Sequence, residues 1–225
     1  MKIAVVSQLR SRSNYLATSL SNYHGIKHAG DPYRDLYELL ASRDRMDKFS
    51  ELSETITSNL NSSGEDYLVK IQLSNMPGNF TNAPLLPDID VFDFKSYDKI
   101  YITHRKNMVE QICSLIVANG TGNFVTNKSS PFIPVNSFTF DLKEHLSLVN
   151  NVMLDHLKLR MLIHCFKKQS IPYTLIEYKN SVKWMNTNLP ATRAGNIATR
   201  YEYPRIFFNY NDVVDFVNAY TGNVI

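Results

Sequence analysis

Four apolar, mostly β-branched residues, Ile3 to Val6, run straight into the polar turn Gln8-Leu9-Arg10-Ser11-Arg12-Ser13, and a helical pattern begins at Asn14. A short apolar run without alternation suits a strand covered on both faces, as in a parallel sheet with a helix layer on each side. Tyr15, Leu16, Ser19 and Leu20 then follow helical spacing, and Ser13 or Asn14 is expected to cap the first turn by accepting from its free N–H groups. Exposed N–H groups, the positive end of the helix dipole and the guanidinium groups of Arg10 and Arg12 would converge there. That combination suits a phosphate or a sulfate. The plainer alternative is an ordinary strand-turn-helix connection whose serines only cap the helix. The triphosphate signature G-x-x-x-x-G-K-[ST] is absent from the chain, so ATP or GTP hydrolysis is not expected.

The same alternation continues downstream. Pro32 opens an amphipathic stretch with Asp31 at its capping position, and residues 44–60 read as a more polar helix. Tyr67 to Leu73 is a second core strand with Lys70 as a charge in its middle, Lys99 to Thr103 a third, and Pro172 to Tyr178 a fourth. Asn107 followed by Glu110 is a capping-box pattern opening a helix. Asp141 to Lys168 is the longest helical pattern, with Leu146, Val149, Met153, Leu157, Met161 and Ile163 as its apolar positions. Ser74 to Asp88 and residues 119–137 read as long loops. Strands alternating with helices predict an α/β fold, a mainly parallel sheet flanked by helices, in one domain over residues 1–225, with ligands at the carboxyl ends of the strands.

Composition narrows the function classes. With 44% apolar residues in 225, the chain can bury a full core. A net charge of +3, without a basic run interleaved with aromatics, favours local anion sites over a nucleic-acid-coating surface. Cys113 and Cys165 fall in apolar helical patterns and are expected as buried free thiols of a reducing compartment. No apolar run approaches the roughly 20 residues that span a bilayer, and a chain opening directly on a strand is expected to lack a signal peptide and to be cytoplasmic.

Four separated pieces, in the same order, resemble the sulfotransferases that use 3′-phosphoadenosine 5′-phosphosulfate. Arg10-Ser11-Arg12-Ser13-Asn14-Tyr15-Leu16 is similar to their first-strand loop [KR]-[ST]-G-[ST]-[ST]-[WY]-L, departing at Arg12, where glycine is usual, and at Asn14. Lys70-Ile71-Gln72 resembles the strand segment K-x-H. Arg105 with Ser114 matches a strand-ending arginine followed by a helical serine, with a spacing closest to bacterial carbohydrate sulfotransferases, and Tyr178-Lys179-Asn180 resembles a late Y-E-[DN]. Arg193-Ala194-Gly195 echoes a terminal R-K-G.

The resemblance implies a P-loop-like sulfotransferase fold and transfer of a sulfuryl group to a hydroxyl of a carbohydrate or small metabolite, without a metal. It implies that Arg10, Ser11, Arg12, Ser13 and Asn14 cradle the donor phosphate, that Arg105 and Ser114 hold the ribose 3′-phosphate, that Tyr15 and Tyr178 contact the adenine, and that Arg193 binds the nucleotide. Arg10 and Lys70 would stabilise the charge on the leaving phosphate. Gln72 stands where the family often has a histidine base and cannot act as one. Asp31, in Ala29-Gly30-Asp31-Pro32, resembles the segment that supplies a carboxylate base in some bacterial members; a helix cap is its other reading, and His28, His24 and His104 are further candidates. Phe80, Phe124 and Phe132 would line an acceptor site. A catalytically degenerate binding protein of the same fold is the alternative function.

Overall fold

The computed structural model describes residues 1–41, 43, 48–75, 92–122, 134, 136–189 and 202–222. These residues fall into two compact units: Met1–Arg105 with Leu154–Ala194, and Lys106–Met153 with Gly195–Ile225. Most of the two long loops, with Phe80, Phe124 and Phe132, lies outside the described residues, as does Arg193.

The first unit is built on five parallel strands: β1 (Lys2–Ser7), β2 (Lys27–His28), β3 (Tyr67–Gln72), β4 (Lys99–His104) and β5 (Thr174–Glu177), in the spatial order β2-β3-β1-β4-β5. Together with the helices α1 (Ser13–His24), α2 (Pro32–Ala41), α3 (Phe49–Ser62) and α6 (Ser181–Asn188), the arrangement is α/β, as the sequence pattern predicts. Register puts Val5 beside Lys70 on one side and Tyr101 on the other, and Ser7 beside Gln72 and Thr103. After β1 the chain leaves toward β2, and after β4 it leaves the opposite way, toward β5. The crevice between the carboxyl ends of β1 and β4 is therefore the topological switch point, where open parallel sheets bind ligands.

Period-two alternation gives each strand a residue for either face. Ala4, Val6, Val69, Ile71, Ile100 and Ile102 share one core with Tyr33, Leu36 and Leu40 of α2 and Phe49 of α3. Ile3, Val5, Leu68, Tyr101 and Ile176 face the other way, onto Leu16, Ala17 and Leu20 of α1 and Met185 of α6. Lys70 follows Leu68 on this second face and is nevertheless buried.

The long helix α5 (Leu142–Lys168) contributes its residues from Leu154 onward to the first unit. Its buried stripe is Val149, Val152, Asp155, Leu159, Leu162 and Phe166, whereas Leu146 and Leu157, expected inside, are exposed. Val149 and Met153, also expected inside, are buried, so the apolar letters locate the stripe in part and miss that one of its members is a carboxylate.

The second unit holds α4 (Met108–Thr121), α7 (Tyr203–Ile206) and α8 (Tyr210–Gly222). Asn107 caps α4 as its sequence predicts, accepting from Glu110 N–H at 3.0 Å. Phe138 and Phe207 pair as an isolated parallel bridge, and Phe140 N–H donates to Asn209 Oδ1 at 2.7 Å. Gly120 is needed against this aromatic cluster, since a Cβ there would stand 2.7 Å from the Phe138 ring. Cys113 and Cys165 are buried free thiols. Among the described residues, no helix is long and apolar enough to cross a membrane.

Candidate functional site

The turn between β1 and α1 is fastened from several sides. Gln8 N–H donates to Thr103 O at 3.2 Å, and Gln8 Oε1 accepts from Arg105 N–H at 2.8 Å, so one side chain ties the end of β1 to the end of β4. Gln8 is buried, and its Nε2 donor has no partner among the described residues. Leu9 N–H donates to Asp155 Oδ2 at 2.7 Å. Arg10 and Arg12 both take the left-handed conformation, with φ of 57° and 63°. An L-residue there carries roughly 1 to 2 kcal/mol of steric strain, which explains why glycine is the easier residue at the Arg12 position.

One sequence expectation for this turn is corrected. The N-cap of α1 is Arg12, and no side chain caps the helix; Ser13 already lies inside it and the Asn14 carboxamide oxygen is turned toward Lys70. Ser11 is buried with its hydroxyl pointing inward, hydrogen-bonded to Gln8 O and to Thr103 Oγ1, both at 2.7 Å. The Ser11 hydroxyl thus helps shape the turn, with both a donor and an acceptor role filled.

Beside this uncapped helix end stands a pair of guanidinium groups on one aromatic ring. The Arg12 Cζ lies 4.2 Å and the Arg105 Cζ 4.3 Å from the centroid of Tyr178, so the two cations are less than twice that distance apart. Arg12 also donates to Tyr178 O and Ser181 Oγ, both at 3.4 Å, and no carboxylate pairs with it among the described residues. Ring quadrupoles attract cations, so Tyr178 lets two like charges approach each other.

On the other side of the same helix turn, at the ends of β2 and β3, Lys70 Nζ donates to Asn14 Oδ1 at 2.9 Å and lies 3.2 Å from Asp31 Oδ2. The lysine and aspartate side chains are 9% and 4% exposed, so this is a buried ion pair. Burial pushes the Asp31 carboxyl above the ordinary range, and Lys70 pulls it back in part. Asp31 also begins α2, with Oδ1 3.3 Å from Arg34 N–H. The helix-cap reading of Asp31 is thereby met. His28 is held below the usual histidine range, first by desolvation and then by the Lys70 charge.

Arg12, the N-cap of α1, thus belongs to the cluster on Tyr178, and Asn14, in its first turn, touches Lys70. Arg105, Tyr178, Lys70 and Asp31 are brought to the carboxyl edge of the sheet around that turn. Arg10 lies on the turn with partial exposure, and Tyr15 is half-buried against the α1 face of the core. Ser114 is buried in the second unit. The sequence reading did not single out Gln8 as a site residue, nor Asp155 or Lys158. The signal for Asp155 was an acidic residue at helical spacing from Val152 and Leu159.

No family model matches the chain, and no curated protein is similar to it. A solved structure of an uncharacterized protein from Eubacterium ventriosum ATCC 27560 aligns over 85% of this chain and 99% of its own, at 9% sequence identity and a TM-score of 0.41, a likeness too slight to carry an argument.

Proposed function

We propose that the chain binds 3′-phosphoadenosine 5′-phosphosulfate at the carboxyl edge of its sheet and catalyses sulfuryl transfer to the hydroxyl of a carbohydrate or small metabolite. The observation that carries this reading is the convergence of Arg12 and Arg105 on Tyr178 beside an uncapped helix N-terminus. Two guanidinium groups, helix N–H groups and the unpartnered Gln8 Nε2 are all donors, and a polyphosphorylated nucleotide is a ligand made of acceptors. The residues present fit such a group in their chemistry. When bound, the nucleotide would supply an activated sulfuryl group on its 5′-phosphate.

In this reading Arg12, Arg105 and the first turn of α1 hold the phosphates, and Arg10 adds positive charge at the turn. Lys70 stabilises negative charge as it develops on the leaving oxygen, which requires the ammonium to exchange its contact with Asp31 for one with the ligand. Asp31, released from that pair beside the reacting centre, accepts the proton of the acceptor hydroxyl. Its raised pKa makes it a better base than an exposed aspartate.

The second reading, a binding protein of this fold without chemistry, draws on one specific observation: Lys70 is held by Asp31 and Asn14, with Gln72 in place of a histidine. Titration with adenosine 3′,5′-bisphosphate separates both readings from no nucleotide site at all. Ligand at about a hundred times its dissociation constant stabilises the native state by about 2.7 kcal/mol and raises the melting temperature by several degrees. No shift at millimolar ligand rejects both. Transfer from radiolabelled donor to a panel of hydroxyl acceptors, lost in Lys70→Ala, selects the enzyme.

A further inference from the structure

Asp155 occupies a position at which a carboxylate is costly. It lies on the apolar stripe of α5 between Val152 and Leu159 and is 0% exposed. Its Oδ2 accepts from Leu9 N–H at 2.7 Å, while Oδ1, also buried, has no partner among the described residues. One turn further along, the buried Lys158 donates from Nζ to Leu73 O at 3.2 Å. An acid and a base on one helix face thus reach the segments that leave two neighbouring strands, Leu9 after β1 and Leu73 after β3. A leucine would serve the core better at position 155, since buried charges are often neutral or unfavourable for stability. What leucine cannot do is accept an N–H from the turn.

The turn needs such a restraint. Left-handed backbone at Arg10 and Arg12 persists only when the surroundings over-determine it. Ser11 and Gln8 fasten the turn to β4; Asp155 fastens it to α5, at the residue directly before Arg10.

We propose that Asp155 is a positioning residue for the anion site: by holding Leu9 N–H it keeps Arg10 and Arg12 left-handed and so keeps the Arg12 guanidinium at Tyr178 beside Arg105. The consequence for ligand affinity rests on the nucleotide-binding reading above; the placement of Arg12 does not. Desolvation pushes the Asp155 carboxyl up to about 7, against the opposing pull of Leu9 N–H and Lys158. Its hold on Leu9 is charge-assisted only when it is ionised and weakens as it takes a proton. The charged group set against it is Lys158 on α5. Its neighbour His156 is held down to about 4 by desolvation, then by Arg160 and His104, and so titrates elsewhere.

The full-length chain, with backbone and arginine Nε labelled, can be followed by NMR from roughly pH 5.5 to 8.5, the range that brackets this transition. Leu9 N–H, Arg12 Nε–H and the Tyr178 ring signals should move together with a midpoint near that of Asp155, and the shared transition should vanish in Asp155→Asn. Asp155→Leu should displace the Arg12 signal at every pH and weaken adenosine 3′,5′-bisphosphate binding about tenfold, as loss of an outer-shell partner does, without lowering the melting temperature. A Leu9 transition that Arg12 and Tyr178 do not share overturns the proposal. So does wild-type affinity in Asp155→Leu. If the leucine variant fails to fold, the wild-type titration alone decides. If the wild type binds no bisphosphate, the nucleotide-binding reading fails while the NMR transition still decides the role of Asp155.

Discussion

Lys70 and the Arg12–Arg105 pair flank the same helix turn, yet they are held in different ways. The lysine is buried against a carboxylate and an amide oxygen, with its charge matched. The arginines are both set against the Tyr178 ring, which carries no net charge. A compact ammonium on a flexible stem suits a group that must switch partners during a reaction. Planar guanidinium groups held by stacking suit a fixed phosphate clamp. The difference teaches that cations at one sheet edge need not share a role, and under the proposed function it favours binding by the arginines and a conditional, chemical part for the lysine.

The harshest test of this contrast is Lys70→Ala, which leaves Asp31 buried without its cation. It should cost about 3 kcal/mol of stability, read by denaturant unfolding, and should abolish transfer. Lys70→Met combined with Asp31→Asn should recover most of that stability, since neither partner is then left charged, and should still transfer nothing. Arg105→Lys keeps the charge and loses the planar fork; bisphosphate affinity should fall about tenfold by calorimetry while transfer at saturating donor changes less. An effect on kcat larger than on affinity would reverse the two roles.

Arg12→Gly should divide stability from binding. Glycine relieves the left-handed strain, raising the unfolding free energy by up to about 1 kcal/mol, while removal of the guanidinium weakens bisphosphate binding. Lower stability and unchanged affinity would show that Arg12 is structural. The smallest effect concerns pH. The Asp31 carboxyl titrates above its ordinary range, so on acidification it is neutralised before an exposed aspartate would be, and Lys70 is freed. Affinity for the bisphosphate should rise a few-fold toward acid pH, and the rise should be absent in Lys70→Ala and in Asp31→Asn. By linkage, a carboxyl whose pKa is raised on folding favours the folded state at pH below that pKa and loses that contribution as pH rises through it.

Much of the fold was legible because it depends on local pattern. Ile3–Val6 is an uninterrupted apolar run, and a run of that kind needs a layer on both faces wherever it sits. The Asn107 cap was legible for the same reason: donor and acceptor are three residues apart. The site was legible in part. Arg105, Tyr178, Lys70 and Asp31 were singled out and meet at one edge, whereas nothing local announced that the Ser11 hydroxyl would reach Thr103, a residue distant in sequence. The capping role given to Ser13 or Asn14 failed because the backbone turned left-handed at Arg12, which placed the helix start at Ser13, earlier than either capping assignment assumes.

By itself the sequence determined which segments become strands and helices and that their order alternates, since periodicity and turn chemistry act over a few residues. Only the tertiary structure decided that Lys70 would find Asp31, that two arginines would share Tyr178, and that Asp155 would reach across to Leu9. Those contacts depend on strand order, which no local pattern encodes, and on burial, which alone makes an unpaired polar group expensive enough to select its partner.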